Sequence, residues 1–470
     1  MNIFPLQDIV LLLLGFAVLA VDLFSRNRAA SFHTAWLGLA VVSLIICLQP
    51  HDRETLYLGT YLVDGFSLLF KQFFTLSALL TLLLARSYFT GRGDQKGPLA
   101  NSGEFSVIII FCTFGMFTVV SSRDLLTLFI GMELATIPLY VLSGFRKGDD
   151  QGAEAATKYI VMGSLSTCIG LFGYSFLYGR AGALTFDAVA TYTASNTGDP
   201  LLHLGVVLIL VATGFKLTLV PFHMWAPDVY EGAPTPVTAF LSVSSKATAV
   251  AFLLILFFGP LAPAVPNLQN MLLLLAGVTM TVGNLGAMRQ NNLRRFMAYS
   301  SIAQAGYIVM ALAGQAQLAK GAILYYLPVY AAANFAVFFI IAIVGRERGE
   351  NFAALRGLGK QHPGLAAILM LCMFSLAGIP PLAGFTGKFM LFAAAAKQGF
   401  YGMVLFAALN STVSLYYYLL IIKEAYIKEP ENELGALEIS LAQKSSLLPL
   451  TLAMLLLGVL PMLTTAIMGI

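Results

Sequence analysis

Apolar runs of roughly twenty residues, the length an α-helix needs to cross the hydrocarbon of a bilayer, recur along the whole of this chain. They fall at about 4–25, 32–50, 65–87, 104–121, 124–144, 153–178, 202–221, 235–259, 269–288, 295–314, 320–345, 363–396 (interrupted), 402–427 and 447–466. That pattern predicts an all-α polytopic membrane protein with about 14 spans. Composition agrees: 58% of the residues are hydrophobic and 11% charged, which excludes a soluble globular domain. The first run is read as a span rather than a signal peptide, because it carries Asp8, lacks a basic leader and has no small-residue cleavage site. Cys47, Cys112, Cys168 and Cys372 stand in apolar sequence without metal spacing and read as small hydrophobes. No metal site, nucleotide loop, haem site or iron–sulfur spacing is visible, so no redox centre is expected in this chain.

The basic residues give an orientation. Of 27 lysines and arginines, Lys71, Lys158, Lys216, Lys246 and Lys388 lie inside apolar runs. Loops after odd-numbered spans hold Arg26, Arg28, Arg86, Arg92, Lys96, Arg146, Lys147, Arg289, Arg294, Arg295, Arg346, Arg348, Arg356, Lys360, Lys423, Lys428 and Lys444. Even-numbered loops hold only Arg53, Arg123, Arg180, Lys320 and Lys397. This bias puts the odd loops in the cytoplasm and both termini on the periplasmic side.

Two runs are broken. In GFKLTLVPFHMWAPDVYEGAPTPVTAFLSVSSKA (Gly214 to Ala247), Pro221 ends or kinks span 7 just after Lys216. In LAGIPPLAGFTGKF, Pro380, Pro381, Gly384 and Gly387 interrupt span 12 before Lys388. Irregular backbone at membrane depth persists only where it is buried in protein or lines a wet cavity. RDLL at span 5 resembles NNLRR at span 10, and SSKA in span 8 resembles NSTVS in span 13, at offsets of 160 to 168 residues. An offset of five spans, an odd number, makes the two copies inverted across the membrane, a pattern that points to a transport path near the midplane.

Glu133 lies in the middle of span 5, where a charge costs about 2.5–3.5 kcal/mol on insertion scales. It is either half of a structural ion pair or a carboxylate that controls a nearby lysine. Lys158, at the start of span 6, is the expected partner because consecutive helices pack together. Lys216, Lys246 and Lys388 are each alone in apolar sequence. Burial weakens a lysine's hold on its proton and a nearby carboxylate strengthens it, which is the balance a proton relay needs. Each taken singly could instead snorkel to the interface, a reading that stands equally open for Lys71. His223, beyond Pro221, could pass protons or cap the broken end. Tyr299, Ser300, Ser301 and Gln304 open span 10, and Tyr325, Tyr326, Tyr330 and Asn334 follow in span 11. These are candidate proton-access residues, with packing the competing reading for the tyrosines.

GMELATIPLYVLSGF, the span 7–8 motif, RRFMAYSSIAQAGYIVMAL and GIPPLAGFTGKFMLF resemble the antiporter-like membrane subunits of respiratory complex I, NADH:quinone oxidoreductase. Within that family the chain is most similar to the subunit N type, the counterpart of mitochondrial subunit 2. Met132 stands where subunits M and L usually have tryptophan, and no long C-terminal lateral helix follows span 14. The resemblance covers nearly the whole chain and implies four segments: residues 1–103 with three spans, 104–260 and 268–428 as inverted five-helix repeats (spans 4–8 and 9–13), and 429–470 with span 14. It implies a proton relay of Glu133, Lys158, Lys216, Lys246 and Lys388, driven by quinone reduction elsewhere. NADH, FMN, iron–sulfur clusters and quinone would reside in partner subunits and none in this chain. Expected partners are other membrane-arm subunits, with subunit M and the small subunit K as neighbours, in the bacterial cytoplasmic (inner) membrane, and no nucleic acid. A subunit of a multisubunit sodium/proton antiporter is the alternative. A sodium site should add carboxylates at the break, which offers only Asp228 and Glu231.

Overall fold

A computed structural model of the protein describes residues 5–25, 28–50, 53–91, 101–430, 437 and 439–459; of residues 28, 87–91, 441 and 442 it describes the backbone alone. Of the loop charges counted above, Arg26, Arg92 and Lys96 lie outside the described residues, as do both outermost ends of the first and last apolar runs. The chain falls into two compact units, Met1–Leu217 with Gly232–Pro266 and Thr218–Glu231 with Asn267–Ile470.

The first unit begins with α1 (Leu6–Phe24) and α2 (Arg28–Leu48). A short antiparallel hairpin follows, β1 (Glu54–Leu56) and β2 (Tyr61–Val63), with Glu54 opposite Val63. Then come α3 (Gly65–Gly91), α4 (Ser102–Ser121), α5 (Leu125–Ser143), α6 (Asp150–Ala181), α7 (Phe186–Ser195) and α8 (Pro200–Leu217). Beyond the break lies α9 (Trp225–Gly232), which except for Gly232 belongs to the second unit, and then, again in the first, α10 (Thr235–Phe240) and α11 (Lys246–Phe257). A single π-helical turn, Leu241–Ser245, joins α10 to α11. The second unit holds α12 (Val265–Ala287), α13 (Leu293–Leu312), α14 (Ala316–Arg348) and the short α15 (Leu358–Gln361). It continues with α16 (Pro363–Ala377), α17 (Ala383–Lys397), α18 (Tyr401–Tyr426) and α19 (Leu441–Val459).

Each predicted apolar run carries a helix; 235–259 carries α10 and α11 about the π-helical turn, and 363–396 carries α16 and α17 about its break. Among the described residues, eleven helices are long and apolar enough to cross a membrane. The β hairpin and α7 were not expected, since three-residue strands and a ten-residue amphipathic helix leave little periodic signal.

Each unit turns the same kind of corner. Before α5, the Asp124 carboxylate accepts hydrogen bonds from the Leu126 and Thr127 amides; before α13, Asn292 accepts from those of Arg294 and Arg295. These caps satisfy amides that a helix start leaves free. Asp124 bridges Thr185, and Asn292 bridges Asn351. The Leu125 and Leu293 amides donate to the Leu184 and Glu350 carbonyls, and the Phe186 and Phe352 amides donate to those of Arg123 and Asn291. A Cβ on Gly115 would meet the Ala135 nitrogen at 2.3 Å, and one on Gly283 would meet that of Ala303 at 2.5 Å. α4 thus lies against α5, and α12 against α13, through a bare glycine backbone, the close approach that stands in for a hydrophobic drive between membrane helices.

The breaks match as well. α8 ends at Leu217 and is followed by Thr218 at φ 62° and a cis Val220–Pro221 bond. α16 ends at Ala377 and is followed by Gly378 at φ 87° and a cis Pro380–Pro381 bond. Glycine adopts that left-handed backbone freely, whereas the β-branched Thr218 does so at a cost.

Candidate functional site

In the first unit, α5, α6 and α8 bring four polar side chains together, Glu133, Thr136, Thr167 and Lys216. The Lys216 ammonium donates to Thr136 Oγ1 at 2.8 Å and stands 3.6 Å from Glu133 Oε1. Thr167 Oγ1 on α6 donates to the same carboxylate oxygen at 3.0 Å. Lys216 lies in the last turn of α8, where unpaired carbonyls and the negative end of the helix dipole favour a cation. Small residues allow the approach: Gly163 faces the Tyr140 hydroxyl of α5, and Gly170 faces Ala212 of α8. A cavity of about 30 Å³, lined in part by Glu133, Thr167, Thr213 and Lys216, lies beside the pair. That is room for a water molecule.

The expected pairing of Glu133 with Lys158 is corrected here. Lys158 forms its ion pair with Glu154 on its own helix, at 2.7 Å and with 41% of its side chain exposed. It lies nine residues, or roughly 13 Å of helix rise, before the Thr167 that touches Glu133. Consecutive helices do pack, but Lys158 is at the wrong height. Lys71 does not snorkel either. It is 0% exposed, and its amine donates to Asp8 Oδ2 at 2.8 Å and to the Tyr61 hydroxyl at 3.2 Å. Tyr61 in turn donates to Asp8 Oδ1 at 2.6 Å. Lys246 is buried at the start of α11, directly after the π-helical turn. Such turns add a residue to the helix and re-aim the side chains that follow.

In the second unit, Lys388 reaches back from α17 to the end of α16. Its amine donates to the Ala377 carbonyl and to Ser411 Oγ, each at 3.1 Å, and lies 4.7 Å over the Tyr307 ring. A Cβ on Gly378 would press on the Lys388 chain at 3.0 Å. In the second unit the last carbonyl of the first half-helix thus receives an amine from beyond the break, whereas in the first unit the amine comes from α8 itself and reaches side chains of α5. A cavity of about 270 Å³ adjoins this amine, lined in part by Gly378, Phe385, Lys388, Phe392, Ser411 and Thr412.

Gln304 centres a second buried cluster. Its Nε2 donates to the Leu376 carbonyl at 3.0 Å and the Tyr418 hydroxyl at 3.2 Å; its Oε1 accepts from Tyr326 at 2.5 Å. Tyr418 also meets Ser300 Oγ at 2.6 Å. Nearby, Tyr417 donates to Asn284 Oδ1, and Asn284 Nδ2 donates to Asn410. Of the other candidates, Ser301 bonds to the Ala298 carbonyl of its own helix, and Tyr325 donates to the Leu457 carbonyl on α19. Tyr299 packs on Gly286, and Tyr330 stacks on Tyr326. The Nδ1 of His223, in the turn before α9, is buried without a hydrogen-bond partner among the described residues. Asp228 and Glu231 both receive Arg295, at 2.7 and 2.9 Å. Thr136, Thr167, Tyr418 and Asn284 were missed in the sequence, as was Asp8 as the partner of Lys71; a hydroxyl one helical turn from Glu133 was the available signal for Thr136.

Comparison with known proteins gives a consistent result. Residues 122–414 match the family described as "NADH:quinone oxidoreductase/Mrp antiporter, TM". The NADH-quinone oxidoreductase subunit N of Moorella thermoacetica is 36% identical over 461 residues, covering 97% of this chain and 94% of that one. A chain of respiratory complex I from Thermus thermophilus superposes with a TM-score of 0.82 at 33% identity, covering 97% of this chain and 98% of its own. A chain of an archaeal membrane-bound sulfane sulfur reductase has the same fold, with a TM-score of 0.88 at 24% identity.

Proposed function

The chain belongs to the family of NADH-quinone oxidoreductase subunit N, and on that premise we propose that it moves protons across the bacterial cytoplasmic membrane by way of Glu133, Lys216, Lys246 and Lys388. The observation that carries the reading is the loose pair in the first unit: an amine hydrogen-bonded to a neutral hydroxyl and only 3.6 Å from a carboxylate. At that distance the Coulomb attraction is on the order of 4 kcal/mol for an effective dielectric near 20. Moving Glu133 aside removes it, while Thr136 still holds the amine. The proton on Lys216 then has reason to leave for the next buried amine.

In this reading Lys246 and Lys388 are the following stations. The repeats of spans 4–8 and 9–13 each supply one half of the path, entered from the cytoplasm. Lys158, exposed at the start of α6, and Glu133 link the relay to a neighbouring subunit. The chemistry that drives it, with NADH, FMN, iron–sulfur clusters and quinone, belongs to partner subunits, with subunit M and the small subunit K as the neighbours. The sodium/proton antiporter alternative is weakened by Arg295, whose guanidinium already engages both carboxylates at the break.

The test is Lys216→Ala in the assembled complex, reconstituted into vesicles. Assembly should be normal, while NADH-driven proton uptake and coupled quinone reduction fall. Full pumping by a fully assembled Lys216→Ala complex overturns the relay.

A further inference from the structure

Resting on that reading, we propose that Gln304 is a proton-blocking residue, whose side-chain amide separates two sets of hydroxyls in the second unit and prevents protons from short-circuiting between them. On one side stand Tyr418 and Ser300, and on the other Tyr326, stacked on Tyr330. Ser300, Gln304, Tyr326 and Tyr418 are all at most 2% exposed, so bulk water does not bridge them. Ser300 and Gln304 lie four residues apart on α13 and share one face of it. Without Gln304, hydroxyls of α13, α14 and α18 would face one another across a gap that a water molecule could fill.

The direction of the amide is fixed by its surroundings. A backbone carbonyl only accepts, so the group facing Leu376 must be the amide nitrogen, which turns Oε1 toward the Tyr326 O–H. A hydroxyl passes a proton on by accepting one at a lone pair and releasing its own. The amide nitrogen has no lone pair free to accept. A proton arriving on Oε1 could leave only from Nε2, converting the amide to its imidic acid, with an O–H gained and an N–H lost. That species must then be reversed before a second proton can follow. The amide therefore keeps hydrogen bonds on both sides while stopping transfer between them.

The repeat supplies an independent observation. Thr136 precedes Gln304 by 168 residues, the offset of the matching caps, and Lys216 precedes Leu376 by 160, the offset of the matching breaks. The Thr136 hydroxyl contacts Lys216 in the first unit, as the Gln304 amide contacts Leu376 in the second. One slot thus holds a proton-passing hydroxyl in one copy and an amide in the other. The blocking geometry is held in place from α17, since a Cβ on Gly387 would come within 2.7 Å of the Tyr326 ring.

The experiment uses the assembled complex in sealed vesicles, with an imposed pH gradient and no NADH. Gln304→Glu, which offers a transferable proton at the same length, should make the gradient decay several-fold faster. Gln304→Met, similar in size and without a transferable proton, should hold it as the parent does. A Gln304→Glu complex as tight as the parent overturns the proposal, and so does a Gln304→Met leak as large as that of Gln304→Glu, which would mark a packing defect. If Gln304→Glu fails to assemble, Gln304→Thr, which copies Thr136, takes its place with the same two outcomes. Lys216→Ala separates this proposal from the relay. Lost pumping there with a tight Gln304→Glu removes the block alone, and normal pumping there with a leaky Gln304→Glu removes the relay alone.

Discussion

A lysine kept charged with no exposed surface is stabilised by an anion within its own fold, and Lys71 finds Asp8 sixty-three residues earlier in the chain. Breaking a buried pair by removing one partner typically costs about 3–5 kcal/mol, because the other charge is left uncompensated. Asp8→Asn should therefore lower the thermal stability of the purified complex markedly. Asp8→Asn with Lys71→Met, which removes both charges, should recover most of the loss; a double variant as unstable as the single would refute the pairing. Asp8, Lys71 and Glu133 also mark the limit of what these residues disclose in a string of letters. Their cost in a hydrocarbon setting makes them visible, since apolar surroundings admit few charges. Their partners are not visible, because helical periodicity says which face a side chain occupies but not which helix, at what height, lies opposite. So Glu133 met Lys216 rather than Lys158, and Gln304 was noticed while Tyr418 was not.

The interrupted helices show the same division. Pro221, Pro380, Pro381 and Gly384 were legible because proline removes a helix donor and collides with the turn before it. Their local geometry was not, and neither was the π-helical turn ahead of Lys246, since Leu241–Ser245 reads as ordinary apolar helix. Gly384 has a structural reason of its own: a Cβ there would fall 1.7 Å from the Ser375 carbonyl oxygen, so α17 can start against the end of α16 only without a side chain. Gly384→Ala should cost about 1–3 kcal/mol of stability, the range seen for overpacking. Gly402→Ala, in α18 with no atom within 4 Å of the added carbon, should cost nothing measurable. Thermal unfolding of the two variants side by side checks both, and equal midpoints would contradict the stated clash.

Across the chain, two copies of one corner are fastened by equivalent residues while the side chains between them have diverged. The weak RDLL/NNLRR likeness was legible because a cap needs a short polar side chain ahead of an apolar helix. The paired strand-like bridges at Thr185 and Asn351 were not, since an isolated bridge has no period. Asp124→Ala and Asn292→Ala should each cost about 1 kcal/mol. Belonging to different units and capping different amides, they should add when combined; a double variant clearly off the sum, measured by thermal unfolding, would contradict independent corners. The clasp of Arg295 on Asp228 and Glu231 has a further consequence, for biogenesis. Arg295 leaves the ribosome 67 residues after Asp228. Until it does, the segment after α8 carries two acidic groups with their clasp still unmade. A synthesis arrested in that interval yields a chain whose acidic turn has been made but not yet clasped.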